Sequence, residues 1–521
     1  MAQHDYTIAN QGFPATRADI NNALLAISSN NSGTSAPSTL YAGQFWIDTS
    51  ATTWVLYIHD GSDNIQFAQI DTSANTVNFI DSALASDVVI STSGAVSTTG
   101  AFTANGTIKL DGNYPTGSNN VALGDTALDS VQTGGDNNVA IGHASGTAIS
   151  TGDNNTAIGT DTLKANTTGS CNVAVGMNTL EANTTAANNT GVGYNVLAAN
   201  TTGTQNTAVG TNALDANTEA DNNTAVGYNA LTLSTTGANN ASMGAFSLAA
   251  NTTGASNNAF GTAAMAKNTE GSSNVAIGCG ALCTNTTASN NTAIGHNALK
   301  ANTTATHNVG IGACAMIANQ DGTANVAIGF CAASVGTTIS NTTAIGHLAL
   351  ENTTANNNTA VGNQALEANT TGYDNVAVGF CALHLNTTAQ GNVAIGRNSL
   401  AVNTTGTPNT AVGKEALCKN ETAGYNTALG YSAMCLTTTG AANTAVGHTA
   451  LLSNTTGANN VSVGAYSMDA STTGYDSVAM GVEALTTSTT GHTNTAIGRQ
   501  AMCKTTDGHT NTAMGAFALC A

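Results

Sequence analysis

The chain has 521 residues, of which 7% are charged and 4% aromatic, and its formal net charge is −19. Arg17 and Lys109 are the only Lys or Arg in the first 110 residues, so no basic footprint exists there for nucleic acid or an anionic membrane, and neither is expected as a partner. No apolar run approaches the roughly 18 residues that cross a bilayer, so no membrane insertion is expected.

Residues 1–35 carry one helical pattern, from Arg17 through Asp19 and Ile20 to Leu24 and Ile27, with Ile20, Leu24 and Ile27 on one face. One amphipathic helix cannot bury its own stripe, so this segment is expected to dock on a partner or on other copies of itself. Met1-Ala2-Gln3-His4-Asp5-Tyr6 lacks a basic start, an apolar core and a cleavage site. Synthesis and assembly in a cytoplasm are therefore expected.

Residues 36–75 read as a small β meander. Gln44-Phe45-Trp46-Ile47 and Thr53-Trp54-Val55-Leu56-Tyr57-Ile58 are strand-like, and Asp60-Gly61-Ser62 turns the chain into Ile65-Gln66-Phe67. Residues 76–116 read as a β neck, with candidate strands at 77–80, 88–91 and 107–110 between Ser/Thr/Gly turns. Such short segments are expected to wrap around copies from other chains.

Residues 117–521 are dominated by one pentapeptide, Asn-Thr-Ala-Val-Gly and its variants, whose glycine falls at 24 positions from Gly124 to Gly515. Of the 23 intervals between these glycines, 21 are 17 residues; Gly124 to Gly142 is 18 and Gly346 to Gly362 is 16. So strict a period implies an all-β solenoid, a parallel β-roll of about 24 coils in which each coil is stable only against its neighbours. At about 4.8 Å per rung, such a roll is on the order of 115 Å long.

Counting from the motif glycine as zero, position −4 is Asn in 22 of 24 repeats, position −2 is Ala apart from Gly191, Ser242, Gly310 and Ser462, and position −1 is always Val, Ile, Leu, Met or Phe. Position +4 is Leu or Met except at Gly146 and Ala333, and an Asn-Thr-Thr-Gly cluster typically fills +7 to +10. An asparagine ladder is expected through Asn155, Asn172, Asn206, Asn223, Asn274, Asn291, Asn375 and Asn392. Turn formation is the plainer reading of these asparagines. Because strand side chains alternate, −3 and −1 share one face and −4 and −2 the other. The branched residues at −3 and −1, with Leu at +4, are assigned to the coil interior. The alanines Ala157, Ala174, Ala208, Ala225, Ala276, Ala293, Ala377 and Ala394 are assigned to a flat outer face that packs copies together. So thin a coil needs further apolar burial, and a closed homotrimer is expected to supply it.

Two resemblances sharpen these expectations. Met1-Ala2-Gln3-His4-Asp5-Tyr6, Ile8-Ala9-Asn10, Arg17 to Leu24, Asn31-Ser32-Gly33 and Trp46-Ile47-Asp48-Thr49 resemble the N-terminal segment of tail fibre proteins of tailed bacteriophages. That resemblance implies attachment to the virion through phage tail or adaptor proteins. Asn-Val-Ala-Ile-Gly, at 274–278 and 392–396, is similar to the head repeat of YadA-like trimeric autotransporter adhesins. This implies a left-handed, trimerising β-roll, although the 17-residue period is longer than that family's coils are expected to be. The expected function is a structural tail fibre in the virion, assembled in the host cytoplasm. A host surface glycan, an outer-membrane receptor or a distal fibre protein is expected at the C-terminal end. A trimeric bacterial surface adhesin is the alternative, and a tailspike-like polysaccharide depolymerase a third class.

No enzyme activity, cofactor or metal is expected. Glu351 and Glu367 share position +5 on adjacent coils, but a glycosidase pair also needs a cleft and supporting polar groups. His143, His296, His347 and His448 share +1, and His492 with His509 share −6 on adjacent coils, where they could stack. Cys418 with Cys435, and Cys503 with Cys520, stack at +5, and cytoplasmic origin favours thiols there. Adjacent threonines point to opposite sides of a strand, which does not suit an ice-binding array.

Overall fold

A computed structural model describes residues 32–73, 76–79 and 117–520. The chain divides into two compact units, Met1–Thr107 and Ile108–Ala521. No helix occurs among the described residues. The expected helix at 17–27, with the docking residues Arg17, Asp19, Ile20, Leu24 and Ile27, lies outside them, as do the neck segments at 88–91 and 107–110.

The first unit is a five-stranded sheet: β1 (Ser32–Gly33), β2 (Phe45–Asp48), β3 (Thr53–His59), β4 (Asn64–Asp71) and β5 (Thr76–Phe79). β1 runs parallel to β2, and the rest is an antiparallel meander. Trp46 is buried and its ring stacks on Tyr57 at 4.6 Å, while Ala68 is fully enclosed. At the β3–β4 turn, Asp60 accepts 2.8 Å hydrogen bonds from the backbone N–H groups of Asp63 and Ser62. These donors hold its carboxyl down at about 2.

The second unit stacks 24 three-residue strands, β6 (Val121–Leu123) through β29 (Thr512–Met514), each paired parallel and in register with the next. The strand is positions −3 to −1 of the repeat. The ladder continues beyond it, because Gly159 N–H reaches back to Ile141 O and Leu180 N–H reaches forward to Val196 O, at 2.7 and 2.9 Å. The coil turns through left-handed residues: in the Gly227 coil these are Asn222, Gly227, Asn229 and Leu231, with φ of 59, 141, 53 and 52°. Asn tolerates this region through its short polar side chain. A leucine there costs about 1–2 kcal/mol, which complete burial of Leu231, worth about 1.5–3 kcal/mol, offsets.

The expected inside and outside of the strand are exchanged. Ala157, Ala174, Ala208, Ala225, Ala276, Ala293, Ala377 and Ala394 are all fully buried within the single chain. The branched residues at −3 and −1 face outward instead. The reason is volume: a 17-residue coil leaves room for one Leu or Met at +4, and two small residues, at −2 and +3, must meet across it. Departures from the pattern are compensated locally. Gly191 lies opposite Val196, while Ser242 and Ser462 donate hydrogen bonds to Ser247 O and Ser467 O at 2.9 and 2.7 Å. Where +4 is Gly146, Ile149 fills the core; where +4 is Ala333, Ile339 does.

The interior also holds two amide ladders. At −4, the backbone N–H donates to Oδ1 wherever the preceding rung carries Asn, as Asn155 to Asn138, Asn172 to Asn155 and Asn223 to Asn206 at 2.9, 3.0 and 2.9 Å. Asn206, Asn274, Asn291, Asn375 and Asn392 repeat this bond. The amide Nδ2 then typically reaches a carbonyl 14 residues on, as Asn155 to Gly169 O at 2.9 Å, while Asn392 Nδ2 has no partner among the described residues. A second ladder runs at +7, where Asn183 Nδ2 donates to Asn166 Oδ1 at 2.8 Å and to Ala186 O at 3.1 Å. It fails where the next rung lacks Asn: Oδ1 of Asn217, Asn319, Asn420 and Asn454 has no partner among the described residues, and Ser234, Gly336, Thr437 and Ser471 follow them. Asn302 joins this group although Asn319 follows: the Asn319 amide keeps its bond to Gly322 O and makes none to Asn302.

Three outcomes are expected. Ser234→Asn restores a donor to Asn217 and should stabilise the surrounding rungs by about 1 kcal/mol, read as slower hydrogen exchange at rungs 210–254; faster exchange would refute the ladder. Gly227→Ala should cost more than about 2 kcal/mol, since its Cβ would lie 2.6 Å from Gly244 O at a φ of +141°. Gly169→Ala should cost under about 1 kcal/mol despite the closeness of Ala186 O to the added Cβ, because Ala186 itself occupies the equivalent site on the next rung. Limited proteolysis of the two variants separates the cases.

Candidate functional site

The repeat leaves two surface features for molecular contact. The first is the outward face of the strands, with Thr or Val at −3 and Val, Ile, Leu or Met at −1 on nearly every rung. Ile277 and Ile395 are 41% and 40% exposed there, and Leu429 47%. The second lies beyond the glycine corner at +1, and on some rungs +2, where larger side chains line up on selected rungs. Tyr228 meets Phe246 edge-on at 5.2 Å, Phe330 stacks on His347 at 5.6 Å, and His448 lies between Tyr431 and Tyr466 at 5.2 Å from each.

The expected inter-copy alanine face is therefore not available: those methyl groups close the coil on itself. The asparagines at −4 are internal bracing and present no amide to a partner. Threonines at +8 donate to the next rung, as Thr167 to Thr184 O and Thr184 to Thr201 O at 3.1 Å, so the Thr-Thr corners are cross-linked along the axis.

Glu351 and Glu367 lie on adjacent rungs but do not converge on a cleft. Glu367 Oε2 is 3.3 Å from His384 Nδ1. The shallow groove at Thr354, Asn356, Asn357, Thr371 and Tyr373 includes neither glutamate. His492 and His509 stack face to face, 3.9 Å between centroids, with Tyr475 continuing the stack at 4.4 Å. Parallel rings do not aim their nitrogen lone pairs at a shared point, and among the described residues no group of three or more His, Cys, Asp or Glu could hold a metal ion.

The cysteine expectation is corrected. Cys418 with Cys435, and Cys503 with Cys520, are joined as disulfides between adjacent rungs, with Cα separations of 4.9 and 5.1 Å. Equivalent positions on successive rungs fall within the usual disulfide span, so the solenoid itself brings each pair together. Burial raises the pKa of the free thiols Cys331 and Cys381, in both cases chiefly by desolvation.

Sequence reasoning missed the +7 ladder and the +1 ridge. The first had a signal, Asn recurring at +7 with the period of −4. The second had one in the clustering of Phe380, Arg397, Lys414, Tyr431 and His448 at one repeat position. Comparison of the chain with family models, with curated proteins and with solved structures found no match.

The interior assignment of the alanines has a direct check. Ala225→Phe should overpack the coil by about 1–3 kcal/mol or more and open its rung at every protein concentration, whereas outward Ile277→Asp should leave the coil folded. If Ala225→Phe instead lowered only the oligomeric mass in light scattering, with protease resistance unchanged, the assignment would be wrong.

Proposed function

We propose that this chain is a structural tail fibre of a tailed bacteriophage, acting as a homotrimer in which the solenoid is the shaft and residues 1–35 attach to the virion. The observation that carries the reading is the uninterrupted run of 24 equivalent rungs: a stack built for length and stiffness, with no rung specialised for chemistry. The N-terminal resemblance supports the attachment role. The outward −3/−1 face supports trimerisation, since it repeats an apolar strip along the whole stack and such a strip favours burial against copies of itself. Host recognition at the cell surface completes the reading, with adsorption rather than catalysis as its outcome.

A second reading, a trimeric bacterial surface adhesin, draws on the paired cysteines, because disulfides persist on cell surfaces; they persist on virion surfaces as well. One experiment separates the two. Antibodies against residues 117–520 should label the tails of purified phage particles, and particles made with a chain lacking residues 1–35 should lose the label while the truncated protein stays folded and soluble. Label on bacterial cells in the absence of phage, or truncated chains still mounted on particles, would overturn the proposal.

A further inference from the structure

We propose that the +1 ridge on the six rungs from Gly379 to Gly464 is a lateral binding site for a linear acidic polysaccharide. On six consecutive rungs it presents Phe380, Arg397, Lys414, Tyr431 and His448 at +1, then Tyr466 at +2. The groups form a continuous row. Arg397 Cζ lies 5.8 Å from the Phe380 centroid, Lys414 Nζ 5.2 Å from the Tyr431 centroid, and His448 is flanked by the two tyrosines at 5.2 Å. Phe380, Tyr431 and Tyr466 remain 47%, 44% and 43% exposed, and Arg397, Lys414 and His448 are exposed as well.

Charge selects the ligand. The chain carries a net charge of −19 and only ten Lys and Arg, yet two of these stand on adjacent rungs of the ridge. Arg397 has no carboxylate within 4 Å among the described residues, and Lys414 has Glu415 at 3.5 Å on the neighbouring position. A guanidinium held against an aromatic ring offers its fork to a carboxylate, and the flanking ring faces suit the C–H faces of pyranoses. Groups repeating at about 4.8 Å per rung along a straight axis fit a polymer of charged sugars better than a compact ligand.

Extent argues against a second copy of this chain as the occupant. An interface between copies uses features found on every rung, as the −3/−1 face does, whereas aromatic and cationic side chains occupy +1 only here and there along the rest of the stack, with small residues such as Thr211, Ala245, Thr262 and Ala313 between them, and form an unbroken row only from Phe380 to Tyr466. The inference deepens the fibre reading, and rests on it for its biological setting, by naming the class of host surface component.

The test uses the full-length protein with alginate, hyaluronan and polysialic acid as acidic probes and dextran as the neutral one. Calorimetric titration should show binding to at least one acidic probe and none to dextran, weakening about tenfold or more when salt is raised to about 0.5 M. The Arg397→Gln/Lys414→Gln variant and, separately, Tyr431→Ala should each lose about tenfold or more in affinity with an unchanged oligomeric mass. No binding to any acidic probe, equal affinity in the variants, or a change in oligomeric mass in place of affinity would overturn the site. Virion labelling is scored independently, so a labelled tail with no glycan binding rejects this inference and leaves the fibre reading standing.

Discussion

Two asparagine amides are sealed inside most coils, and each is satisfied chiefly by its counterpart one rung away and by the backbone carbonyl of a corner. A buried amide without a partner costs on the order of 1–3 kcal/mol. The coils are thereby bound to one register: sliding a rung by one residue would turn Asn155 and Ala157 outward and drive Thr156 and Ile158 into a space sized for a methyl group. The apolar core alone, one leucine and two small residues per coil, would specify that register far less sharply. The ladder converts a thin core into an ordered stack.

Much of this was legible in the sequence. The period, the parallel strand, the corner glycine, the ladder at −4 and the leucine at +4 follow from which residue recurs where, and the meander from Trp46 to Phe67 follows from alternation and the Asp60-Gly61-Ser62 turn. The sidedness of the strand is not legible from alternation and side-chain size alone, which place the larger apolar residues inward as in a larger domain. In a coil this narrow the volume available decides the matter, and Val226 cannot fit where Ala225 does. The evidence was present in pairs: Gly191 with Val196, Ser242 with Ser247, and Ser462 with Ser467 change together because they touch across the interior. Left-handed leucines such as Leu231 had no local signal, since their conformation is held by tertiary burial against intrinsic preference.

The candidate sites follow the same division. Histidines and glutamates sharing a repeat position were readily found, but repeat position fixes only which residues stack, and not whether their polar atoms converge. His492 and His509 stack as rings, and Glu367 turns to His384. The lateral ridge was harder to see because its members are chemically unlike one another; aromatic and cationic side chains become one feature only when the rungs place them in a single row.

The gaps in the +7 ladder carry a mechanical meaning. Asparagines 166–217, 251–319 and 369–420 occupy this position in blocks of four, five and four, separated by Ser234, by Gly336 with Thr353, and by Thr437. At each separator one of the two internal side-chain tethers is thinned or missing while the backbone ladder runs on, and beside Gly336 and Thr353 the −4 amide is interrupted as well, by Thr342. Tension applied along the axis therefore meets the least side-chain resistance at these separators, and a rung there is expected to open before the coils between them.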